Sequence, residues 1–214
     1  MPNQVQETYK IRPAGRHILT IGRDLIQDRY TAIVELVKNA YDADSPDVNI
    51  DFKASADRNR CSICIEDHGH GMSRDIVINR WMVPSTDDKL KRQKSPAGRT
   101  MQGRKGIGRY AASILGDNLL LETVIANGEK TTIYVEWQTF ESARYLDDVE
   151  ILIETKVTSE PAGTRLTITG GTKLLNEWGK LQLDKLKYEL KKLVPPVNIA
   201  EPEEENNDKF LTGC

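Results

Sequence analysis

Three groups of residues have types and spacings suited to phosphate chemistry. Glu35, Asn39 and Asp42 lie in a stretch with helical apolar spacing, and at about 100° per residue they fall within an arc of roughly 60°. One helix face would therefore carry a carboxylate, an amide and a second carboxylate. A carboxylate that polarises water beside an amide oxygen that ligates a hard cation suits Mg²⁺-dependent phosphate hydrolysis, because Mg²⁺ takes oxygen ligands and keeps its waters. On its own the spacing more often marks a solvated helix face. The second group, Glu66-Asp67-His68-Gly69-His70-Gly71-Met72, directly follows a strand-like run. Gly69 and Gly71 permit tight turns and close ligand approach, and an ionised Asp67, acceptor-only, suits an adenine amino group. The third, Gly103-Arg104-Lys105-Gly106-Ile107-Gly108-Arg109, precedes a helix-like segment from Tyr110 to Leu115. Backbone N–H groups freed by glycines at such a junction form an anion site. The loop fits neither the Rossmann fingerprint nor a Walker A sequence.

Other chemistry is poorly supported. His68 and His70 invite metal ligation, but His17, distant in sequence, is the only other histidine. Cys61 and Cys64 have C-x-x-C spacing, yet they sit in an alternating stretch where positions i and i+3 face opposite sides, which is poor chelate geometry.

The elements that must position these groups follow from periodicity. Thr31 to Ala43 reads as a helix with Ile33, Leu36, Val37 and Ala40 inward, ended by Ser45-Pro46. Val48, Ile50 and Phe52, then Ile63 and Ile65, alternate as a hairpin about the polar segment Ser55 to Arg60. Further strands are predicted at Leu119 to Ala126, Thr131 to Trp137, Val149 to Thr155 and Thr164 to Thr169, with Asn127-Gly128 as a hairpin turn. Between Asp67 and Leu119 the strand pattern lapses into a long loop with eight Lys/Arg and no Asp/Glu from Lys89 to Arg109, a length usually functional inside a domain. Leu183, Leu186, Leu190 and Leu193 form one stripe of a later helix closed by Pro195-Pro196. A helix followed by many antiparallel strands predicts an α+β two-layer sandwich: a mixed, largely antiparallel sheet covered on one face by helices.

Composition sets the outer bounds. Hydrophobic residues at 38% and charged residues at 29% of 214 positions are too apolar for disorder and too polar for a membrane chain. The net charge of -2 would confine nucleic-acid binding to a local patch, and the basic run lacks the interleaved aromatics that would indicate it. Three cysteines make no disulfide framework and, with no apolar span or signal core, suggest a cytoplasmic protein.

The order of the motifs then resembles that of the GHKL superfamily of ATPases, which includes DNA gyrase, the large heat-shock chaperones, histidine kinases and the mismatch-repair MutL proteins. Glu35-Leu36-Val37-Lys38-Asn39-Ala40-Tyr41-Asp42-Ala43 is similar to the first motif in its MutL form, and Ile65 to Met72 to the second, usually D-x-G-x-G. Gly103 to Ala112 is similar to the chaperones' phosphate loop, and Gly163-Thr164 to the last motif. Trp81 to Lys89 also resembles the start of the ATP lid in the MutL and microrchidia groups, with Thr86 and Lys89 displaced by intervening acids.

The resemblance implies the Bergerat ATP-binding fold over residues 17–194, with a lid at about 81–109, an N-terminal strap at 1–16 and an acidic linker or tail at 195–214. It implies ATP and Mg²⁺ as ligands. Glu35 would orient the attacking water, Asn39 ligate Mg²⁺ and Asp67 read the adenine amino group. Thr164 would support adenine through Asp67 and a water, while Gly69, Gly71 and Met72 form the base pocket. Gly103, Gly106 and Gly108 would wrap the phosphates, Asp42 would hold the helix-facing edge, and Lys105 stands where chaperones carry an apolar residue.

The implied function is an ATPase module whose lid closure drives dimerisation or switching of a larger protein. Hydrolysis by this fragment alone is expected to be weak, because such relatives take a basic residue from a following domain. The alternatives are a non-hydrolysing nucleotide sensor or interaction module and a histidine-kinase-like domain. The kinase reading is disfavoured by Glu35 and by the short segment ahead of the domain. Downstream domains of the same protein are the expected partners, with no membrane and no nucleic acid indicated.

Overall fold

Helix α2, Arg29–Asp42, begins where Asp28 takes extended backbone and its carboxylate accepts the Thr31 N–H at 2.8 Å, a side-chain cap. The structure, a computed structural model, describes residues 8–26, 28–55, 59–84, 93–103, 108–171, 177–193 and 198–200. Ala32, Ile33, Leu36, Val37 and Ala40 of α2 are buried, as their spacing predicts. The helix ends one residue short of expectation: Asp44 turns left-handed at φ 62° and Ser45 N–H returns to Ala40 O at 3.1 Å.

The sheet comprises β1 (Val48–Ala54), β2 (Arg60–Asp67), β3 (Asn118–Val124), β4 (Glu129–Glu136), β5 (Ile153–Val157), β6 (Gly163–Gly171) and β7 (Asn198–Ala200). Their order is β5-β4-β3-β6-β2-β1-β7, antiparallel throughout except for β7, which runs parallel to β1. The α+β sandwich with a mixed, largely antiparallel sheet is thus observed. Register gathers the alternating apolar residues into cross-strand rows on one face, Ile65–Leu166–Leu121–Ile133 and Ile63–Ile168–Leu119–Val135. Of these, Ile63, Leu119, Leu121, Ile133 and Ile168 are no more than 1% exposed, and each such side chain contributes ~1.5–3 kcal/mol by leaving water. Two residues further along the same face lies a polar row, Asp67–Thr164–Thr123–Thr131.

Helix α1 (His17–Leu25), α2, a short helix α3 (Arg74–Ile76) continuing as a π turn (Val77–Trp81), α4 (Ala112–Leu115) after a 3₁₀ turn (Gly108–Ala111), α5 (Trp137–Ser142) and α6 (Lys180–Leu190) complete the described fold. α2 packs on β2, and α4 on β3 and β6. The predicted leucine stripe is in place through Leu183, Leu186 and Leu190, but α6 ends at Leu190, short of the expected stop at Pro195-Pro196, and Leu193 packs against the core from the turn that follows.

Several elements depart from the sequence expectation, among them α3 and the π turn, which stand where a loop is expected. α1 has no side-chain cap at Arg16, so no start signal marked it. The strand predicted through Trp137 stops at Glu136, because Trp137 N–H bonds Asp117 O at 3.1 Å and the chain turns into α5 to bury Trp137 and Phe140. β5 begins at Ile153 instead of Val149, since Tyr145 and Asp148 cap a 3₁₀ turn at Leu146–Asp148. β7 extends the sheet into the stretch taken as linker.

The described part of the predicted strap, residues 8–16, docks on its own chain. Arg12 pairs with Asp147 at 2.7 Å and Asp148 at 3.1 Å and lies 3.8 Å over the Tyr145 ring, while Leu146 N–H donates to Pro13 O at 2.9 Å. Among the described residues no helix is long and apolar enough to cross a membrane.

Candidate functional site

The polar face of α2 meets the glycine loop at both of its described ends. Asp42, 5% exposed, accepts the Gln102 N–H at 2.7 Å and the Gly103 N–H at 3.0 Å through its two carboxylate oxygens. At the far end Gly108 lies on Glu35 and Asn39: a Cβ placed there would sit 3.6 Å from Glu35 Oε2 and 3.8 Å from Asn39 Nδ2. Arg104, Lys105, Gly106 and Ile107 lie outside the described residues, as do Thr86 and Lys89. Glu35 Oε1 also accepts from Lys38 Nζ at 2.7 Å. Beyond the loop, Arg109 donates to the Arg80 and Trp81 carbonyls, tying the loop's exit to the π turn.

The opposite end is built on the sheet. Asp67 accepts the Gly69 N–H at 2.9 Å and the Thr164 N–H of the paired strand. Desolvation in this recess pushes its carboxyl up to about 6, against the downward pull of those two N–H groups and of His70 and His68. Thr123 was not singled out by the sequence, and it is the hub here. Fully buried, it accepts the Met72 N–H at 2.8 Å, donates to Gly163 O at 3.2 Å and meets Thr164 Oγ1 at 3.1 Å. Only strand register places Thr123 beside Thr164 and Thr164 beside Asp67, so no linear motif could reveal it.

Close approach explains the glycines at this end. Gly71 has φ +67° and a Cβ there would overlap the Val124 carbonyl oxygen; Gly163 has φ +152° and a Cβ would overlap the Asp67 carbonyl oxygen. At Gly69 a Cβ would stand 2.5 Å from Ala43 O, and His70 N–H donates to that same oxygen at 3.0 Å. The end of β2 is thereby seated on the end of α2, which brings the two halves of the site together.

The structure thus gathers Glu35, Asn39, Asp42, Gly103 and Gly108 along α2, and Asp67, Gly69, Gly71, Met72 and Thr164 at the strand ends. His68 Nδ1 bonds Asp47 Oδ1 at 2.7 Å and His70 Nδ1 bonds Gly71 O at 2.8 Å, so each ring has a local partner. Among the described residues no group of three His, Cys, Asp or Glu could hold a metal ion. The donor set of an amide and a nearby carboxylate fits a Mg²⁺ carried largely by phosphate oxygens and water, not one caged by protein.

A family model described as "Histidine kinase-, DNA gyrase B-, and HSP90-like ATPase" matches residues 28–167, from the cap of α2 into β6. Curated relatives include the chaperone protein HtpG of Escherichia coli strain K12 and of Escherichia coli O157:H7. Each is 26% identical over 230 residues, an alignment covering 97% of this chain and 35% of the relative. The chain therefore spans about a third of the length of these relatives.

Proposed function

This chain belongs to the histidine kinase-, DNA gyrase B- and HSP90-like ATPases, and from that premise we propose that it binds ATP with Mg²⁺ and hydrolyses it. The observation that carries the reading is the course of α2. One helix holds a carboxylate and an amide against Gly108, a second carboxylate on the N–H groups of Gln102 and Gly103, and, at its end, the seat of the turn that follows Asp67. That geometry suits an elongated ligand with a base at the strand ends and anionic groups along the glycine loop.

The roles follow from chemistry. Asp67 as carboxylate accepts the adenine amino group, and Thr123 and Thr164 fix the side of the pocket that Met72 and Gly71 line. Gly103, Gly108, Gly106 and Lys105 face the phosphates, the last two by sequence position alone. Asn39 offers its amide oxygen to Mg²⁺, whose charge, when bound, offsets that developing on the transferred phosphoryl group. Glu35, in contact with the same glycine as Asn39, orients the attacking water and receives its proton. We further propose, from the family resemblance of its motifs, that lid closure over residues 81–109 drives ATP-dependent dimerisation of a larger cytoplasmic protein.

A thermal shift with Mg²⁺ and a non-hydrolysable ATP analogue tests the binding reading. At about a hundred times its dissociation constant a ligand adds ~2.7 kcal/mol, or about 5 to 10 °C for a domain of this size. Wild type should show the shift and Asp67→Asn should lose it. Glu35→Ala should keep the shift and lose turnover by about 10²-fold or more. No shift in wild type would overturn the proposal.

A further inference from the structure

The end of α2 breaks a local rule. Asp44 N–H donates to Tyr41 O and Ser45 N–H to Ala40 O, each at 3.1 Å, the paired bonds of a Schellman ending, with Asp44 at the left-handed position, φ 62°. Glycine takes that conformation without a Cβ penalty and is the usual occupant; among the described non-glycine residues, only Asp44 has positive φ. Its side chain shows what the strain accompanies. The Asp44 carboxylate accepts the Ser95 hydroxyl at 2.5 Å and the Ala97 N–H at 2.9 Å, and Arg99 Nε stands 3.8 Å from it. The Arg99 guanidinium continues onto the helix end, donating to Ser45 O at 2.8 Å and Tyr41 O at 3.4 Å, where carbonyls at a helix C-terminus favour a cation. Ser95 Oγ in turn accepts the Arg99 N–H at 2.9 Å.

The segment so held is a small folded tab. Ser95 N–H bonds Arg99 O and Gly98 N–H bonds Ser95 O, both at 2.9 Å, and Lys94 bridges Thr100. The tab leads directly into Gln102 and Gly103, the two groups that Asp42 holds. The chain entering the glycine loop is therefore fastened to α2 twice, by Asp42 and by Asp44.

We propose that Asp44, Ser95 and Arg99 form a clasp that fixes the register of the glycine loop on α2, and that they are positioning residues for the phosphate groups of the nucleotide. They act through the tab and Gly103. The proposal rests on the nucleotide-binding reading above and extends it: base affinity is set by the sheet, phosphate affinity by the clasp. Charge-assisted hydrogen bonds of this kind are about twice as strong as neutral ones, and a loop displaced by an ångström meets phosphate poorly.

The test separates phosphate from base. Binding of adenosine, ADP and a non-hydrolysable ATP analogue with Mg²⁺ is measured by calorimetry on wild type, Asp44→Gly and Arg99→Met, alongside melting temperatures. Asp44→Gly relieves the left-handed strain, so its melting temperature should hold. Adenosine affinity should stay within about twofold, while that for the ATP analogue weakens about tenfold or more, the effect of a lost charge-assisted contact. Arg99→Met, which keeps the Asp44–Ser95 bond, should show the same pattern at smaller amplitude and remains informative if Asp44→Gly fails to fold. Equal weakening toward adenosine and the ATP analogue would reduce the clasp to a general structural role and overturn the proposal, as would no change toward either. A wild type that binds none of the three would sink the nucleotide reading itself.

Discussion

At the proposed base end of the site the side chains sit on paired strands. Asp67, Thr164 and Thr123 are neighbours in one cross-strand row, and Gly71 and Gly163 press against the backbone of that same sheet. At the proposed phosphate end the contacts run from side chains at the end of α2 and just past it to a loop, through Asp42 on Gln102 and Gly103 and through Asp44 on the tab before them. The first arrangement is fixed by register and steric fit, and it fails as a unit. The second is fixed by a few discrete hydrogen bonds, which can be removed singly without disturbing a strand.

The largest effect is expected where that steric fit is tightest. Gly71→Ala places a methyl on the Val124 carbonyl oxygen at a φ of +67°, so the turn must move or the strands part. A loss of ~3 kcal/mol or more in denaturant unfolding is expected, with nucleotide binding lost even where the protein still folds. A stable Gly71→Ala protein with normal affinity for adenosine would show that the base end is softer than the sheet it stands on.

Next comes a matched pair that divides the two ends directly. Thr123→Val keeps shape but leaves Met72 N–H and Thr164 Oγ1 without their shared partner, at a cost of about 1–3 kcal/mol. It should weaken adenosine and ATP by the same factor. Asp42→Ala leaves two N–H groups of the loop unmet, a similar cost by the same reasoning, but it should weaken ATP far more than adenosine. Calorimetry with the two ligands is the measurement. If both variants lost the two ligands in equal ratio, the division between the ends would be wrong.

Legibility in the sequence follows the same division. α2, the hairpin of β1 and β2 and the Asn127-Gly128 turn carry local periodicity or turn chemistry, and they appear close to where the sequence predicts them. So does the tight turn at Gly71, whose φ is positive, whereas the positive φ of Gly163 is hidden behind an ordinary strand start. Thr123 is silent because its partners come from strands distant in sequence, and the Asp44–Ser95–Arg99 clasp because its members are joined across some fifty residues with no repeating pattern. α1 lacks a cap, and α5 arises from burial of Trp137 and Phe140 against the core, a tertiary demand that overrides the strand pattern leading into it.

A smaller effect separates the ends by pH. Burial raises the Asp67 carboxyl to about 6 in the folded protein, from an ordinary value of 3.8. In the proposed role adenine needs the carboxylate, so affinity for adenosine should fall as pH drops through about 6, by about tenfold per unit once protonation dominates. The effect on stability has the opposite sign. Between 3.8 and about 6 the folded state holds this proton and the unfolded state does not, so the Asp67 contribution to stability rises as pH falls through that window and is lost as pH rises through it. Asp67→Asn, which should not bind, should remove the stability trend in pH-resolved unfolding, and the binding trend is read on wild type. A wild-type affinity for adenosine that stays level from pH 7.5 to about 5 would show that the recess does not hold the proton.

The smallest effect tests the role proposed for Glu35. Lys38 pairs with Glu35 at 2.7 Å, with the two side chains about a quarter to a third exposed, and an ion pair in that setting contributes about 0.2–1 kcal/mol. Orienting water requires the Glu35 oxygen nearest Gly108, which is Oε2, whereas Lys38 occupies Oε1. The pair therefore holds the carboxylate in its orientation without blocking the oxygen that faces the loop. Lys38→Met should leave ATP affinity unchanged and lower turnover by no more than about fivefold, a change of that same size in free energy. A loss as large as that of Glu35→Ala would instead place Lys38 itself at the phosphates. A rise in turnover would mean that the ion pair restrains the base, and that α2 carries a brake on hydrolysis beside the groups that perform it.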